Sequence, residues 1–236
     1  SLRNYNLLVS FQDGPENFDA DFVESRLADG MIIIGTTNNA YIWDELEDLR
    51  ARGRRPVCWG SPDDGFDWVR SDNDAGGRLA TEHLVGQGCR NIAFIGPLHS
   101  PQPQFDERFA GYRDVLRQHD LPELVVEPTA DADRQQQGYD AVRDMLNEGR
   151  KFDGIFASCD MIALGALRAL REAGISVPGE VAIAGFDAIR AGGFSEPGLT
   201  TIEPDFDEAA KMLVEMALTD HLGDRNIHRR VPVRLL

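Results

Sequence analysis

The chain has 236 residues, of which 42% are hydrophobic and 27% are charged. This length is enough for one large or two modest domains, and the mixture argues against disordered, collagen-like and disulfide-stapled classes. The chain has 24 Lys and Arg residues and 40 Asp and Glu residues, so its net charge is −16 and most of the surface should repel phosphate backbones. This segment is therefore not expected to bind nucleic acid itself.

In chain order, short β-rich apolar runs alternate with amphipathic helical patterns. The predicted strands are Tyr5–Phe11, Met31–Gly35, Pro56–Gly60, Asn91–Gly96, Leu124–Glu127, Gly154–Ala157, Val181–Phe186 and Leu199–Ile202. The predicted helices are Asp19–Ala28, Ile42–Arg52, Ala75–Gln87, Glu107–His119, Arg134–Glu148, Met161–Ala173 and Phe206–His221. Parallel neighbouring strands need crossover helices, so this alternation predicts an α/β fold with a doubly wound parallel sheet.

The boundaries between these elements carry recognisable local signals. The run SPDDGFDW, Ser61–Trp68, interrupts the alternation with Pro, Gly and Asp, which predicts a hinge between two α/β lobes. Asp74 and Asp160 are predicted to cap the amino ends of helices. Three glycines are predicted to end helices, namely Gly88, Gly149 and Gly174.

The cysteines and the amino end bear on the cellular compartment. Cys58, Cys89 and Cys159 lie far apart with no C-x-x-C pair, so neither a disulfide framework nor a zinc cluster is predicted. No apolar run approaches the roughly 20 residues that a bilayer crossing needs, and the first residues lack the features of a secretory leader. A cytoplasmic location without membrane contact is expected.

Catalytic and cofactor motifs are missing from the sequence. There is no G-x-x-x-x-G-K-[ST] phosphate loop, no G-x-G-x-x-G after a strand, and no H-E-x-x-H metal pair. Ser195 lies in GFSEP, which lacks the second glycine of a nucleophile elbow. We expect no enzyme activity, no cofactor and no metal.

Polar residues follow several predicted strands, where ligands bind in open α/β sheets. Arg108 lies at the start of the helix after one strand, and its guanidinium could donate two hydrogen bonds to vicinal oxygens, although a surface arginine would look the same. Asp187 follows another strand and can accept two hydroxyl hydrogen bonds, or it can cap a turn. Cys159 is expected to face the crevice, and Trp59 offers either a face for a sugar ring or a core side chain.

Beyond these positions, long stretches of the chain match one known family. They are VRSDNDAGGRLATEHLVGQGCRNIAFIGP, RFAGYRDVLRQH, GIFASCDMIALGALRALREAGISVPGEVAIAGFD and PGLTTIEPDFDEAAKMLVEMAL, with YNLLVS and DGMIIIGTT nearer the amino end. In this order they resemble the effector-binding core of the lactose-repressor/galactose-repressor (LacI/GalR) family of bacterial transcription regulators. That core is similar in fold to periplasmic sugar-binding proteins.

The resemblance implies roles for individual residues. Arg108, in RFAGY, falls where the family keeps its principal effector-binding arginine, and Asp187, in GFD, falls at an acidic ligand contact. Phe206, in PDF, matches an aromatic residue on the hinge side of the cleft.

Three positions depart from the family pattern. Cys159 stands where relatives often carry a small polar or amide residue, and Ser61 stands where they often have Arg or Asp. Arg134 lies where relatives often stack an aromatic ring on the effector; a guanidinium can stack too, or it can pair with an anionic group. These departures point to an altered ligand preference.

The resemblance also implies an overall plan of two lobes joined by three crossovers. The first lobe would comprise 1–70 plus 200–222, without its first strand and helix, and the second 71–199 plus 223–236. A small sugar or polyol would bind between the lobes of a homodimer and control operator binding by a helix-turn-helix headpiece that this chain lacks. The alternatives are a periplasmic sugar-binding protein of an uptake system and a sugar hydrolase that uses Asp160 and Asp187.

Overall fold

A computed structural model of the chain describes residues 6–9, 28, 30–34, 42–51, 55–60, 65–99, 102–129, 132–219 and 226–236. The strands within these ranges are β1 (Ile32–Ile34), β2 (Val57–Trp59), β3 (Asp67–Ser71), β4 (Ile92–Ile95), β5 (Leu124–Val126), β6 (Gly154–Ala157), β7 (Ala182–Phe186), β8 (Thr200–Pro204), β9 (His228–Val231) and β10 (Val233–Leu235). The helices are α1 (Ile42–Ala51), α2 (Asn73–Gly86), α3 (Pro103–Gln118), α4 (Arg134–Asn147), α5 (Asp160–Glu172), α6 (Arg190–Gly193) and α7 (Phe206–Leu218).

The larger sheet has six strands in the order β10-β8-β7-β6-β4-β5, and all of its pairs are parallel except β10 with β8. Alternate side chains of each strand enter different cores. In β6, Ile155 packs in the core formed with α4 and α5, whereas Phe156 packs in the core formed with α2 and α3. Both faces are thus covered by helices, which explains why the sequence shows continuous apolar runs instead of polar alternation.

The smaller sheet has four parallel strands in the order β1-β2-β3-β9. Leu46 and Leu49 of α1 pack with Cys58 on one face. Leu213 and Met216 of α7 pack on the other face with the hydrophobic residues of β2, β3 and β9. The predicted fold class, two doubly wound parallel lobes, is confirmed.

The described chain passes between the sheets three times, from β3 into α2, from β8 into α7 and from β9 into β10. Two segments differ from the predicted lobe assignment. Strand β8 pairs with β7 in the larger sheet, although 200–222 was assigned to the first lobe, and β9 pairs with β3 in the smaller sheet, although 223–236 was assigned to the second. These strands are short and rich in polar residues, so their apolar content does not reveal which core they join.

The predicted hinge Ser61–Trp68 is corrected in its last part. Asp67 and Trp68 belong to β3, which pairs with β2 and β9, while 61–64 lie outside the described residues. The strand was missed because DWVRS places charges in a buried segment. The Asp67 carboxylate accepts a hydrogen bond there from the backbone N–H of Ile227 at 2.6 Å.

The helix ends agree with the prediction at the glycines and differ at both predicted caps, Asp74 and Asp160. Gly88, Gly149 and Gly174 have positive φ angles just after their helices. The carboxylate of Asp72, rather than Asp74, accepts a hydrogen bond from the Ala75 backbone N–H at the start of α2. Residues 6–9 of the predicted strand Tyr5–Phe11 are not in a strand, which corrects that prediction. The rest of this predicted strand and residues 19–27 of the predicted helix Asp19–Ala28 lie outside the described residues.

Candidate functional site

Arg108 lies in the second turn of α3 and is 5% exposed, with its guanidinium against the carboxyl ends of β6 and β7. Its Nε donates to Oδ1 of Asn73 at 2.9 Å, one terminal nitrogen donates to the Ser158 carbonyl at 2.6 Å, and the other donates to Oδ1 of Asp187 at 3.1 Å. Because α3 begins at Pro103, Arg108 is not in the first turn, where a cation would oppose the helix dipole.

Aromatic rings surround the Arg108 guanidinium. The carbon at its centre lies 3.6 Å from the ring centroid of Phe186 and 5.5 Å from that of Phe105. A cation–π contact of this kind stabilises a desolvated guanidinium by about 2 kcal/mol. Together with the Asp187 carboxylate, the rings stabilise the positive charge of Arg108 in its buried position.

Asp187 directly follows β7 in a strained turn. Its φ is 103° and that of Ala188 is 50°, conformations that residues with a Cβ rarely adopt. Its side chain is 38% exposed, so the carboxylate reaches the crevice while one oxygen holds Arg108. The surrounding protein raises the pKa of Asp187, and the Arg108 charge opposes that shift. Strain held at such a position is typical of binding sites.

Asp160 supports this turn and does not cap its own helix, which corrects the prediction. Its carboxylate accepts from Thr201 Oγ1 at 2.6 Å and from the Ile189 backbone N–H at 2.8 Å. Burial raises the pKa of Asp160 to about 6, partly offset by these hydrogen bonds. A Cβ at Gly185 would overlap this carboxylate, so glycine is required there.

Cys159 lies beside the pair formed by Arg108 and Asp187, just after β6. The thiol is 7% exposed, and burial together with the Asp187 charge raises its pKa to about 11. It is therefore neutral at physiological pH and offers a ligand only a weak donor and an apolar surface. Ser158, which precedes it, is fully buried and contributes its backbone carbonyl to Arg108.

Arg134, at the first position of α4, lies over the same ring as Arg108. Its guanidinium carbon is 4.9 Å from the Phe105 centroid, and one of its terminal nitrogens donates to Oε1 of Gln137 at 3.0 Å. The Gln137 side chain is buried and donates to the carbonyls of Thr129 and Ala132. Phe105 is thus a shared platform that brings Arg134 near Arg108.

Trp59 and Phe206 come from the smaller lobe, at the end of β2 and the start of α7. Their ring centroids are 6.2 Å apart with the planes inclined by 50°. Phe206 is 48% exposed and Trp59 is partly buried, so both retain surface for a ligand. Ser61, the remaining predicted contact, lies outside the described residues.

The sequence reasoning missed Asn73 and the real role of Asp160. Asn73 follows the capping Asp72 and resembles an ordinary first-turn residue in the sequence, because its partner Arg108 lies 35 positions away. Asp160 was predicted to cap its helix because Asp at a helix start commonly does so. Its actual partners lie 29 and 41 positions away in the sequence.

The described part of the chain contains neither a candidate metal cluster nor a helix that could span a membrane. No group of three His, Cys, Asp or Glu side chains in those ranges is arranged to hold a metal ion. None of the helices there has the length and apolar character that a bilayer crossing requires.

The fold and the polar crevice define a class, the two-lobed α/β binding proteins. A family model described as a periplasmic binding protein-like domain matches residues 81–235. The chain belongs to this family.

Curated relatives carry the names of bacterial repressors. The chain is 38% identical over 143 residues to a ribose operon repressor of Halalkalibacterium halodurans, covering 60% of this chain and 42% of that protein. It is 31% identical over 208 residues to the HTH-type transcriptional repressor PurR of Actinobacillus pleuropneumoniae, covering 85% of this chain and 60% of that protein. The chain therefore spans about half the length of these relatives.

Solved structures agree with this placement. A LacI family transcriptional regulator from Enterococcus faecium with bound ribose matches with a TM-score of 0.73 and 29% identity, covering 91% of this chain and 80% of that one. The transcriptional regulator CelR in complex with cellobiose matches with a TM-score of 0.74 and 26% identity, covering 92% of this chain and 67% of that one. The resemblance to LacI-family regulators seen in the sequence motifs is confirmed.

Proposed function

We propose that this chain is the effector-binding core of a LacI-type transcription regulator and that it binds a small sugar or polyol between its lobes. The observation that carries the proposal is the Arg108–Asp187 pair at the carboxyl ends of β6 and β7. A sugar hydroxyl both donates and accepts, so a guanidinium beside a carboxylate matches a pair of neighbouring hydroxyls. Relatives named as ribose repressors and a neighbour with bound ribose support the ligand class.

The contacts of Arg108 leave it capacity for such a ligand. A guanidinium has five N–H groups, and three of them are used by Asn73, Ser158 and Asp187. The other two N–H groups and the second oxygen of Asp187 are available to ligand oxygens. Cys159, Arg134, Trp59, Phe206 and Ser61 are the further contacts that we propose.

A binding role fits the carboxylates better than catalysis does. Glycoside hydrolysis needs two carboxyl groups that reach the scissile bond. Asp160 is fully buried, and its oxygens already accept from Thr201 and Ile189, so it cannot serve as the second of such a pair. We therefore propose no enzyme activity and no cofactor.

In the whole protein, ligand binding would control DNA binding. Closing the cleft would change the relative orientation of the lobes in a homodimer and so the spacing of helix-turn-helix headpieces on operator DNA. The size of that response is limited by the difference in ligand affinity between the two arrangements. The relatives' names, which are those of repressors, favour this role in the cytoplasm over sugar uptake in the periplasm.

The proposal is tested by isothermal titration calorimetry with ribose, cellobiose and xylulose. We expect one sugar to bind, and Arg108→Ala to weaken it by about 100-fold, or roughly 3 kcal/mol, because charged hydrogen bonds are lost. Asp187→Asn keeps the size of the side chain and tests the acceptor. Arg168→Ala is the control, since Arg168 is exposed and pairs with Glu172. Unchanged affinity in Arg108→Ala would refute the assignment.

A further inference from the structure

The buried side chain of Asn73 connects the ligand-binding arginine to the boundary between the lobes. Asn73 is 1% exposed and begins α2, directly after the chain leaves β3 of the smaller sheet. Its Oδ1 accepts from Nε of Arg108 at 2.9 Å, and its Nδ2 donates to the Ser71 carbonyl at 3.1 Å and to Oε2 of Glu107 at 2.9 Å.

Chemistry fixes the orientation of this amide. The Nε–H of Arg108 can only donate, so the amide atom that faces it must be the oxygen. The Ser71 carbonyl and the Glu107 carboxylate only accept, so the NH₂ group must face them. Both amide protons and the amide oxygen are thus used, and a rotation of Asn73 would break the contacts on both sides at once.

Glu107 continues the connection into the smaller lobe. Arg230 of β9 binds its carboxylate through both terminal nitrogens, at 2.8 and 3.0 Å, and a terminal nitrogen of Arg70 in β3 lies 3.6 Å from Oε1. Burial raises the pKa of Glu107, but the hydrogen bonds from Arg230 and Asn73 outweigh it and hold the pKa below its ordinary value. Glu107 itself lies on α3 of the larger lobe.

The Glu107 carboxylate binds two arginines that lie side by side in the smaller sheet. Arg70 and Arg230 are directly opposite each other in the pairing of β3 with β9, and like charges in that position repel. Both guanidinium groups also lie over the ring of Trp68, at 4.1 and 5.6 Å from its centroid. Glu107 offsets one of these two charges from the other lobe, so the contact depends on how the lobes are arranged.

We propose that Asn73 is a positioning residue that couples the guanidinium of Arg108 to the interlobe cluster of Glu107, Arg70 and Arg230. This inference rests on the proposed function. A ligand that fixes Arg108 then stabilises the interlobe cluster through Asn73, and the cluster in turn favours ligand binding, since coupling between two sites is reciprocal.

The first test measures ribose affinity by calorimetry and the interlobe distance by electron paramagnetic resonance. Spin labels go on Arg50→Cys in α1 and Lys151→Cys before β6, both exposed, while the three native cysteines are buried. We expect Glu107→Gln and Asn73→Ala each to weaken ribose binding by at least about 5-fold. Each variant should also broaden the distribution of interlobe distances. Saturating ribose should narrow that distribution less than it does in the wild type.

The matched control is Glu203→Gln. Glu203 is about as buried as Glu107 and pairs with Arg234, but both of these residues lie in the larger sheet. It should leave affinity and distances unchanged. If the wild type binds ribose and Arg108→Ala does not, yet both test variants behave like the wild type, the coupling is refuted and the proposed function stands. If Arg108→Ala binds as the wild type does, the proposed function fails.

A second test needs no ligand. Urea midpoints are measured for Arg108→Gln, Arg230→Gln and the double variant, in the wild type and in the Asn73→Ala background. We expect the two shifts to be non-additive when Asn73 is present and additive when it is replaced, because Asn73 and Glu107 form the path between the two arginines. Additive shifts in both backgrounds would overturn the coupling whether or not ribose binds.

Discussion

Asp160 shapes the proposed binding site from a fully buried position. It accepts hydrogen bonds from the Thr201 hydroxyl and the Ile189 N–H, and so fixes the turn in which Asp187 and Ala188 have positive φ. The energy stored in such a turn is about 1–3 kcal/mol for each strained residue, and it persists only if the surroundings hold it. Asp160 provides that support by accepting hydrogen bonds from Thr201 of β8 and from Ile189, just before α6.

The raised pKa of Asp160 predicts a specific pH dependence of stability. Its pKa is about 6 in the folded chain and about 4 in the unfolded chain, so between these values the folded state binds more protons. Its contribution to the free energy of unfolding should therefore fall by roughly 3 kcal/mol as the pH rises from 4 to 6, and stay level above.

The measurement is urea unfolding of the wild type and of Asp160→Asn from pH 4 to pH 8. The difference between the two free energies isolates Asp160, because the other titrating groups are common to both. We expect this difference to change between pH 4 and 6 in the stated direction. A difference that is constant with pH would show that Asp160 titrates as it does in the unfolded chain.

At the scale of elements, α4 and α5 pack closely through two glycines. A Cβ on Gly138 would overlap the Ile162 carbonyl, and a Cβ on Gly165 would overlap the Gln135 carbonyl. The helix backbones therefore approach to a distance that no larger residue permits. This contact places Arg134, at the start of α4, beside the segment that begins α5 at Asp160.

We predict that Gly165→Ala lowers the free energy of unfolding by about 1–3 kcal/mol, because the added methyl group forces the helices apart. The gain in helix propensity, about 1 kcal/mol, does not compensate for this. Gly86→Ala at the end of α2 is the control, since its Cβ meets open space and should be neutral or stabilising. Chemical denaturation checks both, and equal stability of the two variants would contradict the packing argument.

At the scale of the whole molecule, local patterns predicted the sheets better than they predicted the connections between them. Buried runs such as IAFI in β4 and GIFA in β6 are apolar on both faces, and the fold keeps them as strands. Asp187 was singled out because it directly follows such a strand, and Arg108 because it lies near the start of the helix after one; their contact with a ligand stays a prediction. Strand β3 and the role of Asn73 were missed because Arg70 and Asn73 owe their burial to Glu107, which lies more than 30 positions away.

The net charge of −16 leads to a further prediction, that this chain alone does not bind duplex DNA. Non-specific DNA affinity comes from Lys and Arg that neutralise phosphates, and here acidic residues exceed basic ones by 40 to 24. Of the adjacent exposed residues Arg229 and Arg230, Arg230 is already paired with Glu107. We expect no rise in fluorescence anisotropy of a labelled 30-base-pair duplex at 50 mM salt with up to about 100 μM protein. A basic protein of similar size serves as the positive control. Binding that weakens steeply with added salt would mean that the chain has a phosphate site, and the proposed division between an acidic sensing core and a separate DNA-binding headpiece would have to be abandoned.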